Sequence, residues 1–361
     1  MVIKDIRTHL LSVPYVDPPQ TGFLTLESLD LLIVEIEMAD GLVGVGHLHP
    51  IAGGMRTLEM CIHEMLKPHL VGQHFEDPAE VWQRLWLATL IQGRMGITMM
   101  AMSAIDIALW DAVGIAAGQP LWALWGGRGD PLKAYGSGCF RGLGHDGMID
   151  KAQAFVAAGF NAIKMQVAHV FTHEEDVANV RDMRAALGDD IDIMVDVNQG
   201  WTVEESIAVG KRLDAYHPAW LEEPVLADDN AGYLAIAAAI DTPVVGGENH
   251  FTWRDMLPLI DSGKVPVLQP DIMRGGYTDM LATASRAAAR DVTIAPHLFP
   301  EMTTHVLAAI PNAAWLEYMG WYDHLWVEPV AVVDGFMTPP DRPGHGMQFR
   351  PELFSEFPYR D

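Results

Sequence analysis

Ile191-Asp-Ile-Met-Val-Asp196 is a short apolar run that ends in a carboxylate, and the same design recurs along the chain. Asn161-Ala-Ile-Lys164-Met-Gln166 precedes it. Ala219-Trp-Leu-Glu222, Pro243-Val-Val-Gly-Gly-Glu248, Val265-Pro-Val-Leu-Gln-Pro-Asp271, Val292-Thr-Ile-Ala-Pro-His297 and Ala313-Ala-Trp-Leu-Glu317 follow. From Asp196 onward the end points lie 26, 26, 23, 26 and 20 residues apart. Each interval suits one strand, one helix and two short loops, the unit of a parallel β/α barrel. Strand ends in such a barrel open on one rim, so a Lys, an Asp, a His and several carboxylates distant in sequence converge there.

Working outward, the helix starts fall where this alternation needs them. Thr172-x-x-Glu175 and Thr202-x-x-Glu205 fit the capping box, in which hydroxyl and carboxylate satisfy free amides at a helix start. Upstream, Ile3 to Val13 reads as a strand, and Leu29 to Met38, Ala39-Asp-Gly41 and Leu42 to Val45 read as a hairpin. The Pro/Gly-rich stretch 14–22 between them, and 46–50 with His47 and His49, are two candidate lids or pocket edges; for 46–50 a surface loop is the alternative. Ile97 to Ala117 has apolar residues at helical spacing and is stopped by Gly118-Gln-Pro120. The expected architecture is α/β: an α+β capping domain over residues 1–125, completed by the tail 328–361, and a barrel over 126–327.

The chain has 361 residues, 23 basic and 48 acidic, for a formal charge of −25. That charge repels phosphate backbones and anionic lipid, so neither nucleic acid nor a membrane is an expected partner. Cys61 and Cys139 show no metal-binding spacing, and buried reduced thiols in a cytoplasmic protein are expected. The start of the sequence lacks a signal-peptide pattern. The apolar stretch Ile97 to Trp110 is interrupted by Asp106 and reads as too short to span a bilayer.

The rim residues suggest chemistry. Asp196, Glu222 and Glu248 present hard oxygen ligands that suit Mg²⁺. Glu223, next to Glu222, is expected on the other side of the strand in a structural ion pair. Asp271 and His297 end consecutive strands, and a carboxylate beside an imidazole makes a competent general base. Glu317, in a dry pocket, is expected to stay protonated and donate to a developing oxyanion. Lys164 brings positive charge near the metal, and Gln166 faces the same side two residues on. Gly136-Ser-Gly138-Cys-Phe-Arg141 fails the dinucleotide-binding pattern at its third glycine.

These features together resemble the mandelate racemase subgroup of the enolase superfamily. The likeness runs through Ser103-Ala-Ile-Asp-Ile-Ala-Leu-Trp-Asp111, Asp196-Val-Asn198, Leu221-Glu-Glu-Pro224, Gly247-Glu-Asn249, Gln269-Pro-Asp271 with Gly275-Gly276, and Pro296-His297. The resemblance implies a modified TIM-type (β/α)7β barrel under its capping domain and Mg²⁺ on Asp196, Glu222 and Glu248. It also implies removal of a proton α to a carboxylate through a metal-stabilised enediolate, with Gln166 and Asn198 facing the substrate. Similar proteins commonly form even-numbered homo-oligomers. One position departs: many members carry Lys-x-Lys where this chain has Lys164-Met-Gln166, and an amide cannot act as a base at neutral pH. The expected activity is therefore dehydration of a sugar acid, with a cycloisomerase next and a racemase or epimerase third. A sugar-acid-binding protein without catalysis is the contrasting class, and His297 with Asp271 speaks against it.

Overall fold

The computed structural model describes residues 1–22, 26–51 and 53–360. The N-terminal part is an antiparallel meander of β1 (Ile3–Pro14), β2 (Ser28–Met38) and β3 (Val43–Leu48). Helices α1 (Met55–Met60), α2 (Pro78–Ala88), α3 (Ile97–Ala117) and α4 (Leu121–Leu124) follow. The small residues of α3 have a specific purpose. A Cβ on Gly44 would come within 2.1 Å of the Ala108 carbonyl oxygen, and one on Gly46 within 2.2 Å of that of Ala104. Strand and helix backbones thus touch directly, which only a glycine strand edge against an alanine helix face allows. The helix has 21 residues and is apolar enough to cross a membrane, correcting the expectation that it is too short. Its place is instead the interior, since 78% of its most apolar window is buried.

Eight parallel strands follow: β4 (Leu132–Cys139), β5 (Ala162–Gln166), β6 (Asp192–Asp196), β7 (Trp220–Glu222), β8 (Val244–Val245), β9 (Val267–Leu268), β10 (Thr293–Ile294) and β11 (Leu316–Tyr318). Seven helices alternate with them: α5 (Gly144–Ala157), α6 (His173–Leu187), α7 (Val203–Leu213), α8 (Asn230–Ala237), α9 (Thr252–Ser262), α10 (Gly276–Ala288) and α11 (Pro300–Leu307). Single bridges from Gly246 to Leu268 and from Ile294 to Ala313 carry the ladder across the short strands, and β11 pairs with β4 to close it. This is a (β/α)7β barrel. It begins one strand earlier than the rhythm of charged strand ends indicated, because β4 ends without a charged residue. Both capping boxes are formed.

Barrel side chains alternate in layers. Tyr135, Ala162, Met194, Trp220, Val245 and Ala295 fill the floor, and each is at most 2% exposed. Burying a large apolar side chain such as Met194 stabilises by roughly 1.5–3 kcal/mol. Two residues further along their strands stand Ser137, Lys164, Asp196, Glu222 and His297, on the same inner face and one layer nearer the rim. The apolar floor thus fixes the height of the reactive layer.

The tail divides its contacts. The hairpin of β12 (Val332–Val333) and β13 (Phe336–Met337) adds antiparallel to β4, joining the barrel sheet. Beyond it, His345 donates its backbone N–H to Asp111 of α3, helix α12 (Leu353–Glu356) follows, and Pro358 bridges Leu11 of β1. Only this later part packs on the N-terminal layer.

Candidate active site

Capping layer and barrel mouth enclose a cavity of about 460 Å³. Its walls include Lys164, Gln166, Asp196, Asn198, Glu223, Glu248, Asp271 and His297. Two expected residues sit beneath the wall. Glu222 and Glu317 are at most 1% exposed and flank Lys164, whose Nζ lies 2.7 Å from an oxygen of each.

This triple sets the charge states. Burial alone would lower the Lys164 pKa, but Glu222 and Glu317 outweigh it and hold the amine well above its usual range. Lys164 is a locked ammonium. Glu317 moves the other way: burial pushes its pKa up, but Lys164, His297 and the Leu298 N–H at 2.9 Å bring it down to about 2. The expectation of a protonated Glu317 that donates a hydrogen bond is therefore corrected. It is an ionised acceptor, because a cation reaches it from a strand 153 residues earlier in the sequence. Glu222 is held in place by three donors, accepting from Lys164 Nζ, Trp220 Nε1 at 3.0 Å and Gln269 Nε2 at 2.7 Å.

Glu223 departs most from its expected role. Its φ of +40° breaks the strand alternation, so the side chain ends on the cavity wall. It accepts from two amides, Gln199 Nε2 at 3.0 Å and Asn249 Nδ2 at 2.9 Å, in place of the cation of the expected ion pair. Its Oε1 is buried with no hydrogen-bond partner. Burial first, then Glu248 and Asp196, raise its pKa well above the usual carboxylate range. Burial likewise raises Asp196, Glu222 and Glu248. Four crowded carboxyls, one with a free oxygen at the cavity, are the environment a hard divalent cation relieves. The donor set fits Mg²⁺ in kind. Among the described residues no three such groups are yet gathered to ligand distance.

Beside Glu248, on the next strand ends, Asp271 and His297 meet. His297 Nδ1 lies 2.8 Å from Asp271 Oδ2, which fixes the proton there and turns Nε2 toward the cavity, 3.5 Å from Glu248 Oε2. Burial would depress the imidazole, but Glu248 and Asp271 raise its pKa to about 10. Asp271 also caps the backbone N–H of Met273 at 2.7 Å.

Asn198 has a task besides the expected one of facing the substrate. Its backbone N–H and Nδ2 both donate to Asp196 at 2.8 Å, and Arg141 donates to its Oδ1 at 2.6 Å. It therefore orients Asp196, although it still lines the cavity. Gln166 has a buried Oε1 without a partner on the cavity wall, an acceptor ready for a substrate hydroxyl. Sequence reading passed over Arg274, whose Nε donates to the Glu248 carbonyl at 2.9 Å and whose Nη2 donates to Asn249 at 3.1 Å. The clue was its place between Asp271 and the Gly275-Gly276 pair.

Of the two candidate lids, Thr21 from 14–22 and Pro50 from 46–50 reach the cavity. His47 and His49 are not on a surface loop. Both are 1% exposed, and His49 sits between Tyr15 and Tyr322 hydroxyls at 3.3 and 3.0 Å.

Residues 147–353 match the family model of the enolase C-terminal domain-like fold, and residues 5–126 that of the mandelate racemase/muconate lactonizing enzyme N-terminal domain. The chain belongs to the mandelate racemase/muconate lactonizing enzyme family of the enolase superfamily. Within that family it is 34% identical, over 96% of both chains, to a 3,6-anhydro-alpha-L-galactonate cycloisomerase from Streptomyces coelicolor. It superposes with a TM-score of 0.94 on a racemase from Streptomyces coelicolor with bound magnesium, at 32% identity over 99% of this chain and 100% of that one. An L-talarate dehydratase from Polaromonas, complexed with Mg and L-glucarate, gives 0.89 at 30% identity over 99% and 97% of the two chains.

Proposed function

We propose that the protein is a Mg²⁺-dependent lyase that removes the proton α to the carboxylate of a sugar acid and eliminates water from the β-position. The observation that carries the reading is one-sidedness. One base, His297 held by Asp271, faces the cavity, while the opposing strand offers Gln166 and a Lys164 fixed as an ammonium. Racemisation needs proton exchange on both faces of the α-carbon, and among the described residues that strand brings no second base to the wall.

Asp196, Glu222 and Glu248 would hold the Mg²⁺, with Glu223 as a further carboxylate at the cavity. When bound, the ion supplies positive charge that stabilises the ionising substrate and offsets the carboxylate field on His297, freeing its Nε2 to accept a proton. His297 takes the α-proton, and the C–H electrons move onto the carboxylate. As they return, the β C–O bond breaks and His297 delivers its proton to the departing hydroxyl, forming water on the same face. The enol product then tautomerises to a 2-keto-3-deoxy acid. Lys164 balances the substrate carboxylate, and Glu317 holds Lys164 in place.

A cycloisomerase is the second reading, favoured by the likeness to the anhydrogalactonate enzyme. There the oxygen that departs belongs to a ring, and the same base serves. Both readings are tested by a screen of sugar acids with Mg²⁺, detecting 2-keto-3-deoxy products. Chelation should abolish turnover and Mg²⁺ restore it; turnover that survives chelation would overturn the metal assignment.

A further inference from the structure

Besides His297, the basic side chains that line the cavity among the described residues are Lys164 and Arg274, both beside the carboxylate cluster. Lys164 is anchored between Glu222 and Glu317, where it can serve only a carboxylate at the metal end. Arg274 is tied to the Glu248 carbonyl and Asn249, with its guanidinium 4.9 Å from the centroid of the Phe251 ring. The far end, toward the capping layer, is walled by Thr21, Leu26, Pro50 and Ile51 from that layer and Phe140, Met319 and Trp321 from the barrel rim, a surface polar only at Thr21. The capping segments bordering it bring no positive charge among their described residues, since 15–22, 26–28, 46–51 and 53–54 contain no Lys or Arg, while Arg141, next to Phe140, donates to Asn198 at 2.6 Å and is not part of the wall. They bring the opposite sign. Glu27 and Asp30 line an adjoining recess together with Leu26 and Pro50. The neighbouring cation, Lys151, opens on a separate recess of about 50 Å³ and is held by Asp17 at 2.8 Å.

We infer that the substrate is a monocarboxylic sugar acid, an aldonate or its anhydro form, whose far end is uncharged, and that aldarates, with a carboxylate at each end, are excluded. This rests on the proposed α-proton abstraction, which commits the substrate carboxylate to the metal end. A second carboxylate would then leave water for an apolar wall beside Glu27 and Asp30, with no partner for its charge. The hydroxyls nearer the reacting carbon meet the polar wall of Ser137 and the free Gln166 Oε1.

The test is to assay the Mg²⁺-loaded enzyme on five- and six-carbon aldonates and anhydro-aldonates against aldarates and aldarolactones of the same configuration, by NMR of the consumed acid. The expected kcat/KM for a monoacid exceeds that of its matched diacid by on the order of a hundredfold, as for a buried charge left unpaired. Equal or preferred turnover of the diacid would overturn the inference while leaving the proton-abstraction reading intact. If neither class is consumed nor exchanges its α-proton, the reading itself fails and the inference with it. Ile51→Arg supplies a cation at the far wall, and the diacid-to-monoacid ratio should rise at least tenfold. An unchanged ratio in a folded variant that still consumes the monoacid would count against the far wall as the place where the distal group lies.

Discussion

At the scale of single residues, the site depends on which groups carry charge, and two substitutions probe that. His297→Asn removes the base while keeping a similar shape, so turnover and α-proton exchange in D₂O should fall at least about a hundredfold with the fold retained. Retained exchange would place the base elsewhere. Glu223→Gln removes the carboxylate whose Oε1 has no partner and keeps an acceptor for Gln199 and Asn249. Mg²⁺ affinity measured by calorimetry should weaken if that oxygen faces the ion, and an unchanged affinity would restrict Glu223 to bracing the two amides. Asp196, Glu248, Asp271 and His297 were legible in the sequence because each ends an apolar run at a regular interval. Glu223 was not, because its positive φ breaks the period-2 alternation by which its direction was read. The charge of Glu317 was not legible either, since its partner Lys164 belongs to another strand and only the closed barrel joins them.

At the scale of elements, the barrel rhythm, α3 and both capped helices were readable from local pattern, because apolar period and cap chemistry are encoded within a few residues. Strand β4 was missed, since the pattern followed charged strand ends and β4 runs Leu132–Cys139 without one at its tip. The burial of His47 and His49 also escaped it, because the aromatic and tail residues that cover them are remote in sequence. The contact between β3 and α3 gives a testable element-scale claim. Gly46→Ala puts a methyl group where the Ala104 carbonyl lies 2.2 Å away, so strand and helix must separate. We expect a loss of about 1–3 kcal/mol or more, the usual range for overpacking, read as a lower Tm. A Tm equal to that of the parent protein would mean that the two backbones are not in contact.

At the scale of the molecule, capping layer, barrel and tail meet over buried titratable groups, which makes stability depend on pH. Burial pushes the Glu301 pKa up from 4.5 to about 8 and that of His47 down from 6.5 to about 3. Their 3.8 Å approach is therefore between neutral groups, not an ion pair. A raised carboxyl pKa contributes stability that is fully present below pH 4.5 and lost as pH rises through about 8. A depressed histidine contributes stability present above pH 6.5 and lost as pH falls toward 3. Glu301→Gln should thus flatten the decline in Tm between about pH 4.5 and 8, and a decline as steep as that of the parent protein would remove Glu301 as its source. The proposal that one base works on one face of the substrate has a direct measurement. Proton NMR of substrate recovered from partial turnover in D₂O should show no α-epimer, while product accumulates with the mass of substrate less one water, or with that of the substrate if a ring oxygen departs, in either case but for the deuterium taken up at C3 from solvent. Rapid appearance of the α-epimer would contradict the account and require a second base facing His297.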